Sequence, residues 1–155
     1  MSKITILIIS SLLLVSSVGC ENPARNSAEA PSTVKESPQT PDVKSVEDSK
    51  KDAQSELRRK QLNADIKARE QRSNVTGGDT DRATGDLKSE VRSKLEANIP
   101  GSQLTINADK QGAVVISGTV SNAADKTKID GLAKQIKGVK TVTSDQVVVT
   151  PATKN

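Results

Sequence analysis

The chain contains no phenylalanine, tryptophan, tyrosine or histidine, and it has only one cysteine, Cys20. Without aromatic rings it lacks the stacking surfaces of single-stranded nucleic-acid sites, and its formal net charge of +4 is small, so no nucleic-acid partner is expected. Without histidine it cannot form a Ser-His-Asp or Cys-His catalytic group or a histidine metal site. A single cysteine excludes an internal disulfide. We therefore expect a binding or structural protein that is not an enzyme and has no catalytic residues, metal or cofactor.

The amino-terminal residues have the features of an export signal. The apolar run Ile4–Val18 is 15 residues long, which is typical of a signal-peptide core and shorter than the roughly 20 residues of a membrane span. The sequence Val18-Gly19-Cys20 resembles the lipobox of bacterial lipoprotein precursors, except that Ser17 stands where leucine is commonest. Residues 1–19 would then be a lipoprotein signal peptide. The alternative is an ordinary secretory signal with an incidental cysteine, but no cleavage site of the Ala-x-Ala type is present.

Lipid attachment at Cys20 would determine where the protein resides. The resemblance implies a thioether-linked diacylglycerol and an acylated amino terminus on this residue, and several acyl chains hold a protein on a membrane essentially irreversibly. We expect a lipid-anchored protein of the bacterial cell envelope that faces the periplasm. Glu21 takes the place of the aspartate that marks inner-membrane retention in some bacteria, which favours the outer membrane.

Composition predicts that residues 20–42 are a disordered tether. This segment is rich in Pro, Ser, Thr, Ala and Glu and includes four prolines, namely Pro23, Pro31, Pro38 and Pro41. Too little apolar surface is available there to offset the entropy lost on ordering. Such a tether would hold the folded part of the chain tens of ångströms from the bilayer.

Residues 43–73 lack proline and glycine and carry interleaved charges of both signs. Acid-before-base pairs at i,i+4 spacing, such as Asp65 and Arg69, predict a charged, solvated helix. A coiled-coil or docking helix is the alternative, although few apolar positions repeat at heptad spacing.

Residues 74–85 are predicted to be a glycine-rich hinge. Asp79, Asp81 and Glu90 have calcium-loop spacing, but Ala83 occupies a position that needs an oxygen ligand.

Residues 86–150 have the periodicities of a folded domain, and residues 151–155 are predicted to be a disordered tail. Leu87, Val91 and Leu95 recur on one side of a helix, with Asp86 as a candidate N-cap. Alternating apolar residues then predict two strands joined by a turn, and a second helix and a last strand follow. The order is α-β-β-α-β. Because strand-helix-strand crossovers are right-handed, we expect an α+β fold in which two helices cover one face of a mixed three-stranded sheet.

The same residues resemble the BON domain, a small module of bacterial envelope proteins. The resemblance rests on Gly112-Ala113-Val114-Val115-Ile116-Ser117-Gly118-Thr119-Val120, on Leu132-Ala133 and on Gly138-Val139-Lys140-Thr141-Val142. It implies a non-enzymatic protein, often exported or lipidated, that binds phospholipid or the membrane surface and acts in envelope or osmotic stress. Family members commonly carry the domain in pairs, whereas the pattern occurs once in this sequence. The last strand is one residue longer than the family spacing. Either Val147 and Val149 face the core across a bulge, which we favour, or Val148 does.

Candidate functional residues lie on and after the second helix. At 100° per residue, Lys126, Lys134 and Lys137 flank its apolar stripe. Lys140 follows directly after the helix, and the four lysines would meet lipid phosphates. The alternative is a solvated helix face with cations near the carboxyl end.

Three glycines, Gly112, Gly118 and Gly138, are expected to have structural roles. At Gly118, the missing side chain is expected to let a helix cross the strand closely. The expected partner of a monomeric protein is membrane phospholipid. An envelope protein docked by the domain or by residues 43–73 is the alternative partner.

Overall fold

The computed structural model describes residues 22–76 and 83–153 of the chain. The predicted signal peptide, Cys20 and half of the predicted hinge, residues 77–82 with Asp79 and Asp81, therefore lie outside the described residues. The described hinge residues 74–76 and 84–85 belong to helices, which corrects the prediction there. The elements in chain order are β1 (Ala24–Arg25), α1 (Val43–Gln54), α2 (Glu56–Thr76), α3 (Thr84–Asn98), β2 (Gln103–Ala108), β3 (Ala113–Val120), α4 (Ala123–Lys134) and β4 (Thr141–Val149).

The predicted α-β-β-α-β order is confirmed by α3, β2, β3, α4 and β4. The strands form one sheet in the order β1-β2-β3-β4. β2 and β3 are antiparallel, and β3 and β4 are parallel, as the crossover rule requires. The sheet has a fourth strand that was not predicted, because β1 pairs antiparallel with β2. Helix α3 begins at Thr84, so Asp86 lies in its first turn and is not its N-cap.

The core lies between one face of the sheet and the helices α3 and α4. It contains the apolar residues that the periodicities selected, chiefly Leu87, Val91, Leu95, Leu104, Ile106, Val114, Ile116, Val120, Ile129, Ala133, Ile136 and Val147. The register of β4 confirms the bulge, because Val115 pairs with Thr143 whereas Ser117 pairs with Gln146. Val147 is consequently fully buried, as predicted. The prediction that Val149 also joins the core is wrong, because Val149 is 40% exposed at the strand end, as Val148 is at 41%.

The second face of the sheet is polar and is also covered. Thr105 on β2 and Ser117 on β3 alternate with core residues and therefore face away from α3 and α4, yet both are fully buried. The Thr105 hydroxyl donates a hydrogen bond to the Pro31 carbonyl oxygen, and Gln103 Nε2 donates to Glu29 Oε2 at 3.2 Å. The cover is the N-terminal segment, residues 22–42.

The prediction of a disordered tether over residues 20–42 is thus corrected for the residues that the structure describes. Asn26 shows why: its Oδ1 accepts the Leu104 N–H at 2.7 Å, and its own N–H donates to the Leu104 carbonyl at 3.1 Å. The predicted tail is held in the same way, because Thr153 pairs with Asp42. Hydrogen bonds satisfy polar groups on both sides of these contacts, so little apolar surface is needed.

Residues 43–73 are helical, as predicted, but the prediction that this helix is solvated is corrected. The segment forms two helices that break at Ser55, and α2 packs along α3 with Leu62 buried. Arg58 Nε lies 2.6 Å from Glu96 Oε1, and this hydrogen bond raises the pKa of the Arg58 guanidinium against the opposing effect of burial. Arg69 bridges Asp65 and Asp86. Helix α2 therefore docks on α3, because these ion pairs add to the stabilisation that buried Leu62 provides.

Replacing Leu62 with alanine tests this docking. Leu62 is 2% exposed, so the substitution is expected to lower the free energy of unfolding by about 2 to 3 kcal/mol. Leu57 on the same helix is 69% exposed, and its replacement by alanine is the matched control, with an expected change within about 0.5 kcal/mol. Urea unfolding followed by circular dichroism measures both. Equal, small effects of the two substitutions would show that α2 does not dock.

Candidate membrane-contact surface

One end of the domain gathers lysines from segments that are far apart in the chain. The turn between β2 and β3 includes Lys110, and the connection from α4 to β4 includes Lys137 and Lys140. The Gly112 carbonyl accepts the Lys140 N–H at 2.9 Å, which holds the turn and the connection together. We call this surface the basic end, and it is formed by Lys110, Lys134, Lys137 and Lys140.

Glycine at position 112 makes this close approach of two backbones possible. Gly112 has φ +84°, in the left-handed region that favours glycine. A Cβ at this position would collide with the Gly138 carbonyl oxygen and would lie 3.3 Å from Lys140 Cγ. Gly138 itself has φ +93°. The two glycines therefore determine how closely the lysine-bearing segments meet.

The structure brings together three of the four lysines predicted to contact a membrane. Lys134 lies in the last turn of α4, and Lys137 and Lys140 follow it. Lys126 lies near the start of the same helix. It is eight residues before Lys134, or about 12 Å along the helix axis. Because α4 runs back alongside β3, Lys126 is directed to the opposite end of the domain.

The local charge of the basic end is positive. Lys110, Lys134 and Lys140 are exposed and form no ion pair with any residue within 22–76 or 83–153. Lys137 Nζ donates a hydrogen bond to Asn74 Oδ1 at 3.2 Å. The nearby carboxylate of Asp109 accepts the backbone N–H groups of the turn, with Oδ1 2.9 Å from the nitrogens of Gln111 and Ala113. The hydrogen bonds of Asp109 are thus made within the turn, and Lys110, Lys134 and Lys140 are exposed to solvent.

The apolar stripe of α4 is used by the core. Ile129, Ala133 and Ile136 are buried, and Leu132 packs against the same cluster. This stripe therefore supplies no apolar wedge for insertion between lipid chains, and the lysines of the basic end offer ammonium groups. Protonated ammonium groups attract phosphate oxygens and donate hydrogen bonds to them. Lys134 also complements the dipole at the carboxyl end of α4, as the solvated-face interpretation expects.

Sequence reasoning missed two contributors to this end of the domain. Lys110 lies in the predicted turn between the first two strands, and the hairpin pattern was a sufficient signal that it sits beside the start of β3. Asn22 belongs to the segment that composition predicts to be a tether, but its carbonyl accepts a hydrogen bond from Lys88 Nζ at 3.1 Å. No sequence periodicity marks that contact, because it is a single polar interaction between distant segments.

The described parts of the chain contain a groove but no membrane-spanning helix and no metal-binding cluster. No helix among the described residues combines the length and apolar composition needed to cross a membrane. Within residues 22–76 and 83–153, no group of three His, Cys, Asp or Glu side chains is arranged to hold a metal ion. A groove of about 370 Å³ lies between α2, α3 and the residues after α4, and its lining includes Ile66, Ala97 and Ile136.

Comparison with known proteins identifies the folded unit. Residues 83–151 match the family model described as the BON domain. Neither the search of curated proteins nor the search of solved structures found a match to the chain. The matched residues start one residue before α3 and extend just past β4, so they coincide with the α-β-β-α-β unit that carries the basic end. The segment from residue 83 to residue 151 is a BON domain.

Proposed function

We propose that this protein is a non-enzymatic, lipid-anchored protein of the bacterial cell envelope whose BON domain contacts anionic phospholipid through the basic end. BON domains are associated with phospholipid binding and with envelope proteins, and the family is generally non-catalytic. The proposed anchor is the acylated Cys20, and the proposed location is a membrane surface that faces the periplasm. Maintenance of the envelope under osmotic stress is the role that the family resemblance favours.

The observation that carries the proposal is the convergence of four lysines at one end of the domain. Lys110, Lys134, Lys137 and Lys140 come from two segments of chain and share one surface, and three of them form no ion pair with a described residue. Each basic residue near an anionic membrane contributes roughly 1 kcal/mol of binding free energy. Four such residues are sufficient for weak, salt-sensitive adhesion, and the lipid anchor would keep the domain close enough for weak adhesion to matter.

Charge reversal at the basic end tests the proposal. The triple variant Lys134→Glu/Lys137→Glu/Lys140→Glu, made in a chain without residues 1–20, is expected to bind vesicles rich in phosphatidylglycerol roughly 100-fold more weakly than the unchanged chain. The control is Lys50→Glu/Lys51→Glu/Lys126→Glu, which changes the net charge equally but away from the basic end. Co-sedimentation at low and high salt measures both variants. Equal losses in the two variants would contradict a localised contact.

A further inference from the structure

The amino-terminal end of the described chain is fixed to the BON domain. Ala24 and Arg25 pair with Ile106 and Thr105 of β2. Two residues earlier, the Asn22 carbonyl accepts a hydrogen bond from Lys88, whose side chain is 5% exposed. The chain is therefore held to the domain from Asn22 onward and does not leave it as a free tether.

The direction of β1 determines which end of the domain lies nearest to Cys20. β1 is antiparallel to β2, so the path from Arg25 back to Asn22 runs toward the end of β2, where Lys110 and the basic end lie. Cys20 is two residues before Asn22. Two residues of extended chain span about 7 Å at most, so an anchor attached two residues before Asn22 would hold this end of the domain close to the bilayer.

The orientation of helix α2 places one end of this helix at the same end of the domain. α2 runs antiparallel to α3, because Arg58 pairs with Glu96 near the end of α3 whereas Arg69 pairs with Asp86 near its start. The last turn of α2 therefore lies at the basic end, where Asn74 accepts the hydrogen bond from Lys137. Val75 in that turn is 87% exposed. Leu57, 18 residues earlier on the same helix, lies about 27 Å away toward the opposite end.

From this placement we infer that the domain sits directly on the bilayer that carries its own anchor, with the basic end and Val75 against the anionic phospholipid headgroups. This inference rests on the proposed acylation of Cys20. The short connection between Cys20 and Asn22 excludes a reach of tens of ångströms to a second membrane. The Leu57 end of α2 points away from the bilayer into the aqueous compartment. The partner is thus the leaflet that holds the acyl chains.

The lack of tryptophan in the native chain makes a direct test possible, because one introduced tryptophan is the only strong emitter. Val75→Trp and Leu57→Trp are made singly in the full chain, and the acylated proteins are reconstituted into phosphatidylglycerol-containing vesicles that carry a spin-labelled headgroup quencher. Both positions are exposed, so neither substitution disturbs the core. Quenching is expected to be at least about threefold stronger for Trp at 75 than at 57, because the sites lie about 27 Å apart. Equal quenching, or stronger quenching at position 57, would overturn the inference.

Two further arms separate this inference from the proposed function. Insertion of a Gly/Ser linker of about 30 residues between Glu21 and Asn22 should lower quenching at position 75 by about twofold or more, and unchanged quenching would overturn the role of the short connection. Quencher placed only in added, protein-free vesicles should have no effect, and quenching from them would show contact with a second membrane. Mass spectrometry of the amino terminus decides the underlying proposal. An unmodified Cys20 overturns both, whereas an acylated protein with the wrong quenching pattern overturns only the orientation.

Discussion

Loss of the cysteine at position 20 is expected to release the protein from the membrane. In the test variant, Cys20→Ser follows a cleavable secretory leader that replaces residues 1–19, because the uncleaved run Ile4–Val18 would itself retain the chain in the membrane. Each buried methylene of an acyl chain contributes about 0.8 kcal/mol, so several chains outweigh the few kcal/mol that the lysines supply. After a wash at high salt, the membrane-bound fraction is expected to fall by at least about tenfold.

Fractionation of the envelope and immunoblotting measure this effect, and mass spectrometry checks the amino terminus of each form. The control is Ser17→Leu in the native leader, which brings the lipobox closer to the common pattern and should leave the protein acylated and membrane-bound. Retention of the Cys20→Ser protein on salt-washed membranes would contradict anchoring by acyl chains. Such a result would leave the ordinary secretory signal as the better interpretation of residues 1–19.

Replacing Gly118 with alanine is expected to cause the largest loss of stability of any single methyl addition in the BON domain. Gly118 is the sixth of the eight residues of β3 and has φ +126°, a conformation that residues with side chains rarely adopt. A Cβ there would collide with the Gln103 carbonyl oxygen on the adjacent strand β2. Backbone strain and this collision together are expected to cost about 3 kcal/mol or more, a large fraction of the stability of a small domain.

The matched control for Gly118→Ala is Gly131→Ala on α4. No heavy atom lies within 4 Å of a Cβ added at Gly131. Alanine is the better helix former by roughly 0.5 to 1 kcal/mol, so this variant is expected to be slightly more stable than the unchanged protein. Urea unfolding followed by circular dichroism compares the two variants. A Gly118→Ala protein as stable as Gly131→Ala would contradict the steric role of Gly118.

Gly118 also shows how far sequence reasoning reached. Its position in an alternating apolar strand predicted a close contact, and the contact is present, but the obstructing group belongs to a neighbouring strand and not to a crossing helix. A strand pattern reports which residues face the core, since side chains alternate from face to face. It carries no information about the partner, because partners are chosen by the packing of distant segments.

The sequence also predicts only part of the candidate membrane-contact surface. The helical period placed Lys134 and Lys137 on one flank of α4, and the exit from that helix placed Lys140 beside them. The same period grouped Lys126 with them, because an angle around a helix says nothing about distance along it. Lys110 joined the cluster only through the contact between Gly112 and Lys140.

The amino-acid sequence by itself determined the elements of the BON domain, its apolar core and the parallel pairing of its last two strands. These follow from local periodicity and from the handedness of a crossover, and both are properties of short stretches of chain. Only the tertiary structure decided that the N-terminal segment covers the second face of the sheet, that α2 docks on α3, and that Asn22 lies at the basic end. Those arrangements depend on hydrogen bonds and ion pairs between polar residues far apart in the chain, and such contacts leave no hydrophobic period in the sequence.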